Sequence, residues 1–391
     1  MAYSTNKMWA ILTTSLTIVT GLVSAETYNN APKIDLDNNN CCYDLTCCPE
    51  SCNPCRNLAF SIEGLAWRAC EDGLAYGTQT FTSTSCTNCT PTTTTHDVRS
   101  RLKEPHFKWD WGYRLGLGYV LPCDCWGLQL YWTHFNTHTS STHEDSFIAP
   151  TTGVVGQFFT PAWGRVDFNS SSDAAIDSAS AHWKLQLELL DIELGRPFCI
   201  SNCLTLRPHI GVRAVWINQR YNIDCFNTDT SGVTRTLQEV RMKSDFTAGG
   251  LRAGLDTQWD IGCGISLYGN AAASIVYGNY DVRSDTDYQF AATATDFYDV
   301  RQKDQFCACR GITDAAIGLR WRTCFCNDTL AMTWNVGWEH HLFFNQNEFE
   351  DFVILEDSTD FDPSEGGIKN PQFHKGDLCF HGVVFGMKLE Y

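Results

Sequence analysis

Apolar and polar side chains alternate along residues 379 to 391 of this chain. One face of an extended segment there would carry Val383, Phe385, Met387, Leu389 and Tyr391, and the other Gly382, Gly386, Lys388 and Glu390. A period of two is that of a β-strand, and about 9 to 11 tilted residues cross a bilayer. The pattern predicts a transmembrane strand, although the edge strand of a soluble sandwich would alternate in the same way.

The clearest example of the pattern covers residues 107 to 121. One face is apolar and aromatic throughout: Phe107, Trp109, Trp111, Tyr113, Leu115, Leu117, Tyr119 and Leu121. The opposite face holds Arg114 and several glycines. Aromatic residues near both ends of an apolar band are typical of a lipid-facing strand. A short turn through Cys123 and Cys125 then leads into a returning strand that starts near Trp126, which predicts a hairpin.

Three more hairpins follow. They pair residues 183–194 with 206–216, 251–259 with 265–277, and 315–321 with 330–338. In the first of these, the apolar phase shifts between Leu189 and Leu190, which we interpret as a β-bulge. A first strand near residues 58–69 and the terminal strand bring the count to ten, the even number that a closed antiparallel barrel favours.

Long polar segments alternate with the short turns, at residues 71–105, 139–180, 218–243, 280–306 and 343–378. Short turns on one side and long loops on the other are typical of outer-membrane barrels. A further strand is expected near residues 163–168. The fold prediction is therefore all-β: a transmembrane antiparallel β-barrel of the outer membrane, with about 10 to 14 strands and long surface loops.

The N-terminus indicates export. Lys7 precedes an apolar stretch that is diluted by threonine, and small residues end with Ala25. This pattern predicts a signal peptide over residues 1–25. Residues 26–56 then form a cysteine-rich periplasmic segment, and residues 57–391 form the barrel. The net charge of −17 argues against nucleic acid as a partner.

Twenty cysteines are far more than ordinary usage, and an exported chain enters an oxidising compartment. The disulfide candidates lie in the N-terminal segment and at the predicted turns: Cys41, Cys42, Cys47, Cys48, Cys52, Cys55, Cys123, Cys125, Cys199, Cys203, Cys324 and Cys326. The N-terminal group could form a local knot or bond to distant regions and other chains. Zinc binding through Cys52 and Cys55 is a less favoured alternative.

The predicted lumen carries charges of both signs. The pore-lining candidates are Arg68, Arg114, Arg213, Arg252, Arg320, Glu63, Glu188 and Asp256. A water-filled channel and a plug of ion pairs would both show this pattern. Because an eight-stranded barrel is filled by its own side chains and about 16 strands leave a channel, ten strands predict a narrow pore.

Two sequence features resemble known outer-membrane proteins. Gly386, Leu389 and Tyr391 resemble the C-terminal signal that the barrel assembly machinery recognises. The stretches Leu65–Tyr76, Trp111–Tyr119 and Cys123–Trp126 resemble the Legionella-type pore-forming outer-membrane proteins, which also occur in chlamydia-like bacteria as cysteine-rich analogues of the major outer membrane protein. The resemblance covers most of the predicted mature chain.

The resemblance implies a porin-like barrel in the outer membrane of a Gram-negative bacterium, and an envelope stiffened by disulfides between proteins. The expected partners are outer-membrane lipid, the barrel assembly machinery, other cysteine-rich envelope proteins and further copies of the chain in a homo-oligomer. The resemblance brings no catalytic residues and no cofactor.

Enzymatic signatures are weak. The chain contains no nucleophile elbow, zinc-protease, P-loop or dinucleotide glycine motif. His134, His138 and His143 beside Glu144 and Asp145 could ligate a metal, and His340 with His341 could serve a surface protease. Solvated loop histidines are the simpler interpretation, and the acidic run over residues 348–365 is expected to be a solvated loop. We therefore expect no enzyme and no metal site.

The sequence predicts a porin for small solutes with a structural role through disulfides. The alternative is a non-conducting envelope or adhesin barrel that uses its long loops as a binding surface, and a surface protease is less favoured.

Overall fold

A computed structural model describes residues 58–86, 94–121, 125–144, 156–163, 176, 178–201, 203–228, 234–288, 298–325, 330–353 and 370–391. They belong to one compact unit, Asp44–Tyr391. Within these ranges no helix is long and apolar enough to span a bilayer. The predicted signal peptide and the segment 26–56 lie outside the described residues.

The described residues form fourteen strands. They are β1 (Leu58–Glu71), β2 (Gly77–Cys86), β3 (Thr94–Lys103), β4 (Trp109–Val120), β5 (Gly127–Glu144), β6 (Gly156–Pro161), β7 (Ser178–Gly195), β8 (Phe198–Ser201), β9 (Leu204–Thr228), β10 (Thr234–Gly262), β11 (Ile265–Tyr288), β12 (Tyr298–Phe325), β13 (Leu330–Val353) and β14 (Asn370–Glu390).

Ten of these strands close an antiparallel barrel, in the order β1, β4, β5, β7, β9, β10, β11, β12, β13 and β14. The barrel closes where β14 pairs with β1. At this closure Leu58 and Tyr391 exchange two backbone hydrogen bonds of 3.1 and 2.9 Å. The predicted fold class is confirmed, and the ten barrel strands are those that the alternating pattern predicts.

Four strands lie outside the closed barrel in the described part of the chain. The short β8 pairs only with β9, and β3, β2 and β6 form a separate sheet in that order. The expectation that residues 71–105 are a loop is therefore wrong, because β2 and β3 lie within them. A further strand, β6, ends at Pro161. The strand expected near residues 163–168 falls almost wholly outside the described part of the chain, which includes only Trp163 of that range.

Several barrel strands run far beyond the predicted hairpins. β9 and β10 stay paired up to Thr228 and Thr234, and β11 stays paired with β12 up to Tyr288. The segments 139–180, 218–243, 280–306 and 343–378 are therefore partly strand, and the sequence prediction placed the loop boundaries too close to the membrane. The apolar outer faces, on which most of the predicted strands rest, end before the strands do.

The polarity of the barrel wall inverts along β9. In the half of β9 nearest the short turns, Ile210, Val212 and Trp216 face outward and Arg213 faces inward. Farther along, the inward residues become apolar: Val215, Ile217, Tyr221 and Ile223 are buried. Outward residues there are polar: Asn218, Arg220, Asn222 and Asp224. The barrel is thus apolar outside within the membrane and apolar inside beyond it.

This inversion corrects the predicted β-bulge in β7. Trp183, Leu185, Leu187 and Leu189 are buried inside the barrel, whereas Ile192 and Leu194 face outward. The strand keeps an unbroken register with β5 and with β9 over its whole length. The change of apolar phase therefore comes from the change of environment along a regular strand.

The lipid-facing band matches the prediction for β4, except at its start. Trp111 is 70% exposed and Leu117 is 53% exposed on the outer wall. Phe107 instead precedes β4 and packs edge-on against the buried Trp183, with ring centroids 5.3 Å apart. The apolar outer faces end near Trp109 and Trp338, whose rings contact each other at 5.9 Å in the manner of an interfacial aromatic belt.

The turn between β10 and β11 is a tight two-residue hairpin. Gly262 pairs with Ile265, and the two central residues Cys263 and Gly264 have φ angles of 53° and 75°. Positive φ at both central positions defines a type I′ turn, whose twist matches the flanking strands. The turn places the exposed Cys263 at the end of the barrel that the short turns form.

Candidate functional site in the lumen of the barrel

A continuous set of ion pairs crosses the lumen within the membrane part of the barrel. We call it the ionic belt, and it consists of Glu63 on β1, Arg114 on β4, Asp191 and Glu193 on β7, Arg213 on β9, Arg252 on β10, Asp314 on β12, and Glu339 and His341 on β13. These residues occupy the inward positions of their strands, so alternation alone directs them into the lumen.

Arg114 joins two parts of the belt. Its Nη1 donates to Glu63 Oε2 at 2.8 Å, and its two terminal nitrogens bind the carboxylate of Glu339 in a bidentate manner at 2.9 Å each. Nε donates to Thr133 at 3.1 Å. The guanidinium is therefore almost fully used, in the fork geometry that makes arginine pairs strong and specific.

Arg213 likewise binds two carboxylates, on another side of the lumen. It binds Asp191 through Nε at 2.6 Å and Nη2 at 2.8 Å, and Nη1 donates to Asp314 Oδ2 at 2.8 Å. Asp314 also accepts from Arg252, which in turn binds Glu193 at 2.9 Å. One carboxylate of β12 is thus shared by two arginines from β9 and β10.

His341 links the two halves of the belt. Its Nδ1 lies 2.6 Å from Asp314 Oδ1, and its Nε2 lies 3.3 Å from Glu339 Oε2. Carboxylates accept hydrogen bonds, so both contacts are satisfied only when both ring nitrogens carry hydrogen. This geometry fits an imidazolium that is held between two carboxylates.

The structure places six of the eight predicted pore-lining residues in the lumen. Arg114, Arg213, Arg252, Arg320, Glu63 and Asp256 all line one cavity there. The other two predictions are wrong, because Arg68 and Glu188 lie on outward positions. Glu188 accepts from Trp132 Nε1 at 2.7 Å and contacts His134 at 2.5 Å on the outer wall.

Arg68 sits one residue after the inward Trp67, opposite Trp109 on β4 and His381 on β14. Its side chain therefore belongs to the outer wall near the aromatic belt. The sequence prediction placed Arg68 and Glu63 on the same face, but their odd spacing in a regular strand puts them on opposite faces.

The predicted pore-lining residues do not include several charged residues that line the lumen. They are Asp191, Glu193, Arg207, Asp314, Glu339 and His341. Arg207 pairs with Asp256 at 2.7 Å. Asp191 and Glu193 alternate with Ile192 and Leu194, which the sequence prediction placed on the lipid face and which do face outward. The same alternation therefore already indicated that both carboxylates are lumenal.

A polar cavity of about 340 Å³ adjoins the belt. We call it the lumenal chamber. Besides belt residues, its lining includes Tyr131, Arg207, His209, Asp256, Gln258, Tyr268, Arg320, Arg322, Lys388 and Glu390. Lys388 and Glu390 lie near the end of β14, so the chamber extends toward the short-turn end of the barrel.

An apolar plug fills the barrel on the other side of the belt. It contains Leu65, Trp67, Phe135, Trp163, Leu185, Leu187, Ile217, Tyr221, Phe343, Phe349 and Phe380, all buried. Trp67 is central, because its ring lies 5.5 Å from Phe135, 6.1 Å from Phe380 and 4.7 Å from His341. Arg114 stacks over the same ring at 5.7 Å. The plug therefore rests directly on the belt.

One carboxyl group lies inside the apolar region beyond the membrane band. Glu71 follows Arg68, which stands opposite Trp109 at the aromatic belt, by three residues along β1. Gln219 donates to its Oε1 at 2.9 Å, while Oε2 has no hydrogen-bond partner. Burial raises the pKa of the Glu71 carboxyl to about 8, although the hydrogen bond from Gln219 opposes this effect.

The predicted metal and protease histidines do not converge. His134 and His138 lie on outward positions of β5, whereas His143 lies on the opposite phase. His341 points into the lumen and the adjacent His340 points out, where its Nε2 lies 3.3 Å from Cys379 Sγ. Among the residues described, no group of three or more His, Cys, Asp or Glu side chains could hold a metal ion. Asp145 lies outside them.

The cysteines fall into several groups. Cys125, Cys199, Cys203, Cys263 and Cys324 lie at the short-turn end of the barrel, and Cys307 and Cys309 expose thiols on the outer face of β12. Cys70 and Cys379 stand directly opposite each other where the barrel closes. The candidates Cys41, Cys42, Cys47, Cys48, Cys52, Cys55, Cys123 and Cys326 lie outside the described residues.

The acidic run over residues 348–365 lies only partly within the described residues. Glu348 lies in β13, where it is buried and paired with Arg310. It is therefore not a solvated loop residue as expected. Residues 354–365 lie outside the described part of the chain.

Solved structures similar to this chain include other outer-membrane proteins. The outer-membrane protease OmpT from Escherichia coli is 8% identical, with 86% of this chain and 96% of that chain covered and a TM-score of 0.34. A Pseudomonas aeruginosa FadL homologue is 8% identical, with 86% and 90% covered and a TM-score of 0.24. The Pseudomonas putida toluene transporter TodX is 7% identical, with 85% and 89% covered and a TM-score of 0.21.

No curated protein matches the chain. A family model described as the Legionella pneumophila major outer membrane protein precursor matches residues 51–391, which include all the residues of the barrel. The matched family and the closed antiparallel barrel agree on the cellular location. The chain therefore belongs to the Legionella pneumophila major outer membrane protein family and is a β-barrel protein of the Gram-negative outer membrane.

Proposed function

We propose that this protein is a narrow pore for the passive diffusion of small solutes, and that the conformation described above is its closed state. The observation that carries the proposal is the charged lumen. Charged side chains are costly to remove from water, and a barrel that served only as a structural wall would pack more simply with apolar residues. A lumen lined with charges of both signs and continuous with a polar chamber is suited to hydrated solutes.

The size of the barrel supports a small exclusion limit. Eight strands leave an interior that side chains fill, whereas about 16 strands leave an open channel. Ten strands are close to the eight at which side chains fill the interior. Any path must pass the ionic belt and then the apolar plug, so opening requires displacement of plug residues such as Trp67 and Phe380.

A second candidate function is a non-conducting structural barrel of the envelope. It is favoured by the same plug, because Trp67, Phe135 and Phe380 are buried and in mutual contact. The two candidates differ in one observable property, since only the pore passes ions.

Conductance of the purified, folded protein in a planar bilayer tests the proposal. We expect discrete current steps that are small and rare, because the closed conformation dominates. Folding is checked by the altered gel migration of unheated barrels. Folded protein that inserts into the bilayer and gives no steps over long recordings would support the structural barrel and exclude the pore.

We further propose that Cys203 and Cys263 at the short-turn end, together with the N-terminal cluster from Cys41 to Cys55, cross-link the protein to other envelope proteins or to further copies of itself. Non-reducing gels of isolated envelopes should show a ladder that collapses with reductant. Replacing the six cluster cysteines with serine should weaken the ladder and leave the barrel folded. A ladder of unchanged intensity would contradict the role of that cluster.

We assign no catalytic role to the barrel. The histidine best placed for proton transfer, His341, is buried between Asp314 and Glu339 and covered by Trp67. A protease needs its catalytic groups open to a polypeptide substrate, and the plug separates this histidine from the loop end of the barrel. Peptidase assays on folded protein should give no turnover above a His341→Ala variant.

A further inference from the structure

We infer that the lumenal chamber contains a binding site for a small anion with carboxylate or phosphate oxygens, centred on Arg320. This inference rests on the proposed function only in one respect, namely that the bound anion would be a permeating solute. Binding itself is a property of the chamber and does not require an open pore.

Arg320 differs from the other lumenal cations in its pairing. Arg114, Arg207, Arg213, Arg252, Arg322 and Lys388 each form an ion pair with a carboxylate. Arg320 forms none within the described part of the chain, and its hydrogen bond to Gln258 Oε1 is long at 3.5 Å. A guanidinium has five N–H donors, so most of those of Arg320 remain available to a ligand or to water.

The acidic residues of the chamber do not neutralise Arg320, because each already holds another cation. Glu63 pairs with Arg114, Asp256 with Arg207, and Glu390 with Lys388 and Arg322. The remaining carboxylates belong to the ionic belt. The positive charge of Arg320 therefore faces the chamber without a protein counter-ion.

The ring of Tyr268 holds the side chain of Arg320 in place. Its guanidinium stacks on the ring of Tyr268, 4.3 Å from the ring centroid. That ring in turn lies against Gly318 and Gly337, where an added Cβ would meet Tyr268 atoms at 2.8 and 2.3 Å. Two glycines thus make room for the ring, and the ring fixes the plane of the guanidinium. A planar, oriented guanidinium suits bidentate recognition of an oxyanion.

Unsatisfied donors elsewhere in the chamber point to the same ligand chemistry. The His209 side chain is 2% exposed, yet neither ring nitrogen has a hydrogen-bond partner. Its nearest carboxylate oxygens lie 3.6 and 3.7 Å away, on Glu193 and Asp256. Nη2 of the neighbouring Arg207 is also buried without a partner. Imidazole carries at least one N–H in either tautomer, so the chamber has an excess of buried donors.

The volume of the chamber limits the size of the ligand. Ligand pockets typically measure about 300 to 1,000 Å³, so a cavity of about 340 Å³ suits a compact ion. Small dicarboxylates and inorganic phosphate both offer several acceptor oxygens in that size. Dicarboxylates and phosphate share the acceptor oxygens that Arg320 would bind. The binding experiment therefore uses one probe of each kind.

Calorimetry on the full-length, folded protein in detergent micelles tests the site. Succinate and inorganic phosphate serve as anionic probes, and succinamide serves as an uncharged analogue of succinate. We expect saturable binding of at least one anion and none of succinamide. The anion that binds more tightly identifies carboxylate or phosphate as the preferred group.

Variants locate the binding. Arg320→Gln should weaken the affinity by roughly tenfold or more, the effect of losing one charge-assisted hydrogen bond. Arg301→Gln is the matched control, because it removes the same charge from a side chain that is 75% exposed on the loop side of β12. If Arg320→Gln fails to fold, Arg320→Lys retains the charge, loses the stacked plane and should bind with intermediate affinity.

Two outcomes would overturn the inference. The first is that the folded wild-type protein binds neither anion saturably, and the second is that the Arg320 and Arg301 variants lose affinity equally. Because binding is measured in micelles, its failure is separate from failure of the pore. Anion binding without any conductance would leave the site in place and refute the proposed function instead.

Discussion

At the scale of single residues, buried arginines hold non-adjacent strands of the barrel together. Arg114 on β4 binds Glu63 on the adjacent β1 and Glu339 on β13, which is separated from it by 225 positions in sequence. Removing one partner of a buried ion pair leaves the other charge uncompensated, and that is costly even where the intact pair contributes little net stability.

Arg114→Ala is therefore expected to lower the free energy of unfolding by about 3 to 5 kcal/mol. Arg301→Ala should change it by only about 0 to 1 kcal/mol, since that pair is exposed. Urea unfolding of the two variants in the same detergent measures the difference. Equal stability of the variants would contradict the belt as a structural element.

Glu71 predicts a dependence of stability on pH. Its pKa of about 8 in the fold exceeds the ordinary value of 4.5, so the folded state holds the proton more tightly than the unfolded chain. The stability contributed by this proton is complete below pH 4.5 and is lost as the pH rises through 8. Because each tenfold difference in proton affinity corresponds to about 1.4 kcal/mol, the loss amounts to a few kcal/mol.

Glu71→Gln should remove most of this loss, so that the variant is more stable than the wild type at pH 9 and similar to it at pH 5. Glu144→Gln, on an exposed residue at the end of β5, is the control. Thermal unfolding at both pH values provides the measurement. A wild-type melting temperature that does not fall between pH 5 and pH 9 would show that Glu71 is not a buried neutral acid.

At the scale of the element, each strand has two faces whose roles depend on depth. On β4, Leu117 is exposed toward lipid, and the adjacent Gly118 faces the lumen. A Cβ added at Gly118 would meet its nearest atom, Ala59 Cβ, at 3.2 Å, so a longer side chain needs only a small local shift.

Leu117→Arg is expected to destabilise the barrel by about 2 to 4 kcal/mol, the usual effect of arginine near the bilayer midplane. Gly118→Arg should remain folded and alter any conductance, because it adds a charge beside the chamber. Folding yield into vesicles compares the two. Equal yields for both variants would reverse the assigned inside and outside of β4.

The terminal strand offers a second test at this scale. Tyr391 exchanges two backbone hydrogen bonds with Leu58 where β14 meets β1, and its ring lies on the outer face. Deleting Tyr391 should leave export unchanged and reduce insertion into the outer membrane, as judged by fractionation of the envelope. Full insertion of the truncated chain would show that this residue is not part of an assembly signal.

The alternating pattern was enough to predict the barrel strands, because lipid demands apolar residues on every outward position within the membrane. Beyond the membrane the outward side chains face water and the inward ones form an apolar core. Assigning apolar residues to the outer face therefore gives the wrong face there. In β7 the alternating pattern predicts that Leu187 and Leu189, which are buried, face lipid, and this places Glu188 in the lumen. Arg114 and Arg213 were assigned correctly because their strands alternate around them within the membrane band.

The plug and the belt could not be predicted from local sequence. Asp314 meets Arg213 and Arg252 only because strand order and tilt bring β12, β9 and β10 around one lumen. Contacts of this kind depend on the stagger between paired strands, which the sequence pattern of a single strand does not contain. Four of the plug residues, Trp163, Tyr221, Phe343 and Phe349, also lie in segments that were expected to be loops.

At the scale of the whole molecule, the barrel combines two architectures end to end. Its membrane half has an apolar exterior and a charged interior, and its outer half has a polar exterior and an apolar core. The ionic belt lies at the junction, with Trp67 of the plug resting on Arg114 and His341. This arrangement fits the proposed pore, which would be sealed from the loop side by the plug while its chamber extends toward the short-turn end.

The central claim is that the plug closes a pore, and the most direct test is the single-channel conductance of Trp67→Ala. The substitution removes a large buried ring at a cost of about 3 to 5 kcal/mol, so folded protein must first be confirmed on unheated gels. Trp111→Ala, which removes the same ring from the lipid face, is the control. We predict larger or more frequent current steps for Trp67→Ala than for the wild type and the control; folded Trp67→Ala barrels that conduct no more than either would contradict the account.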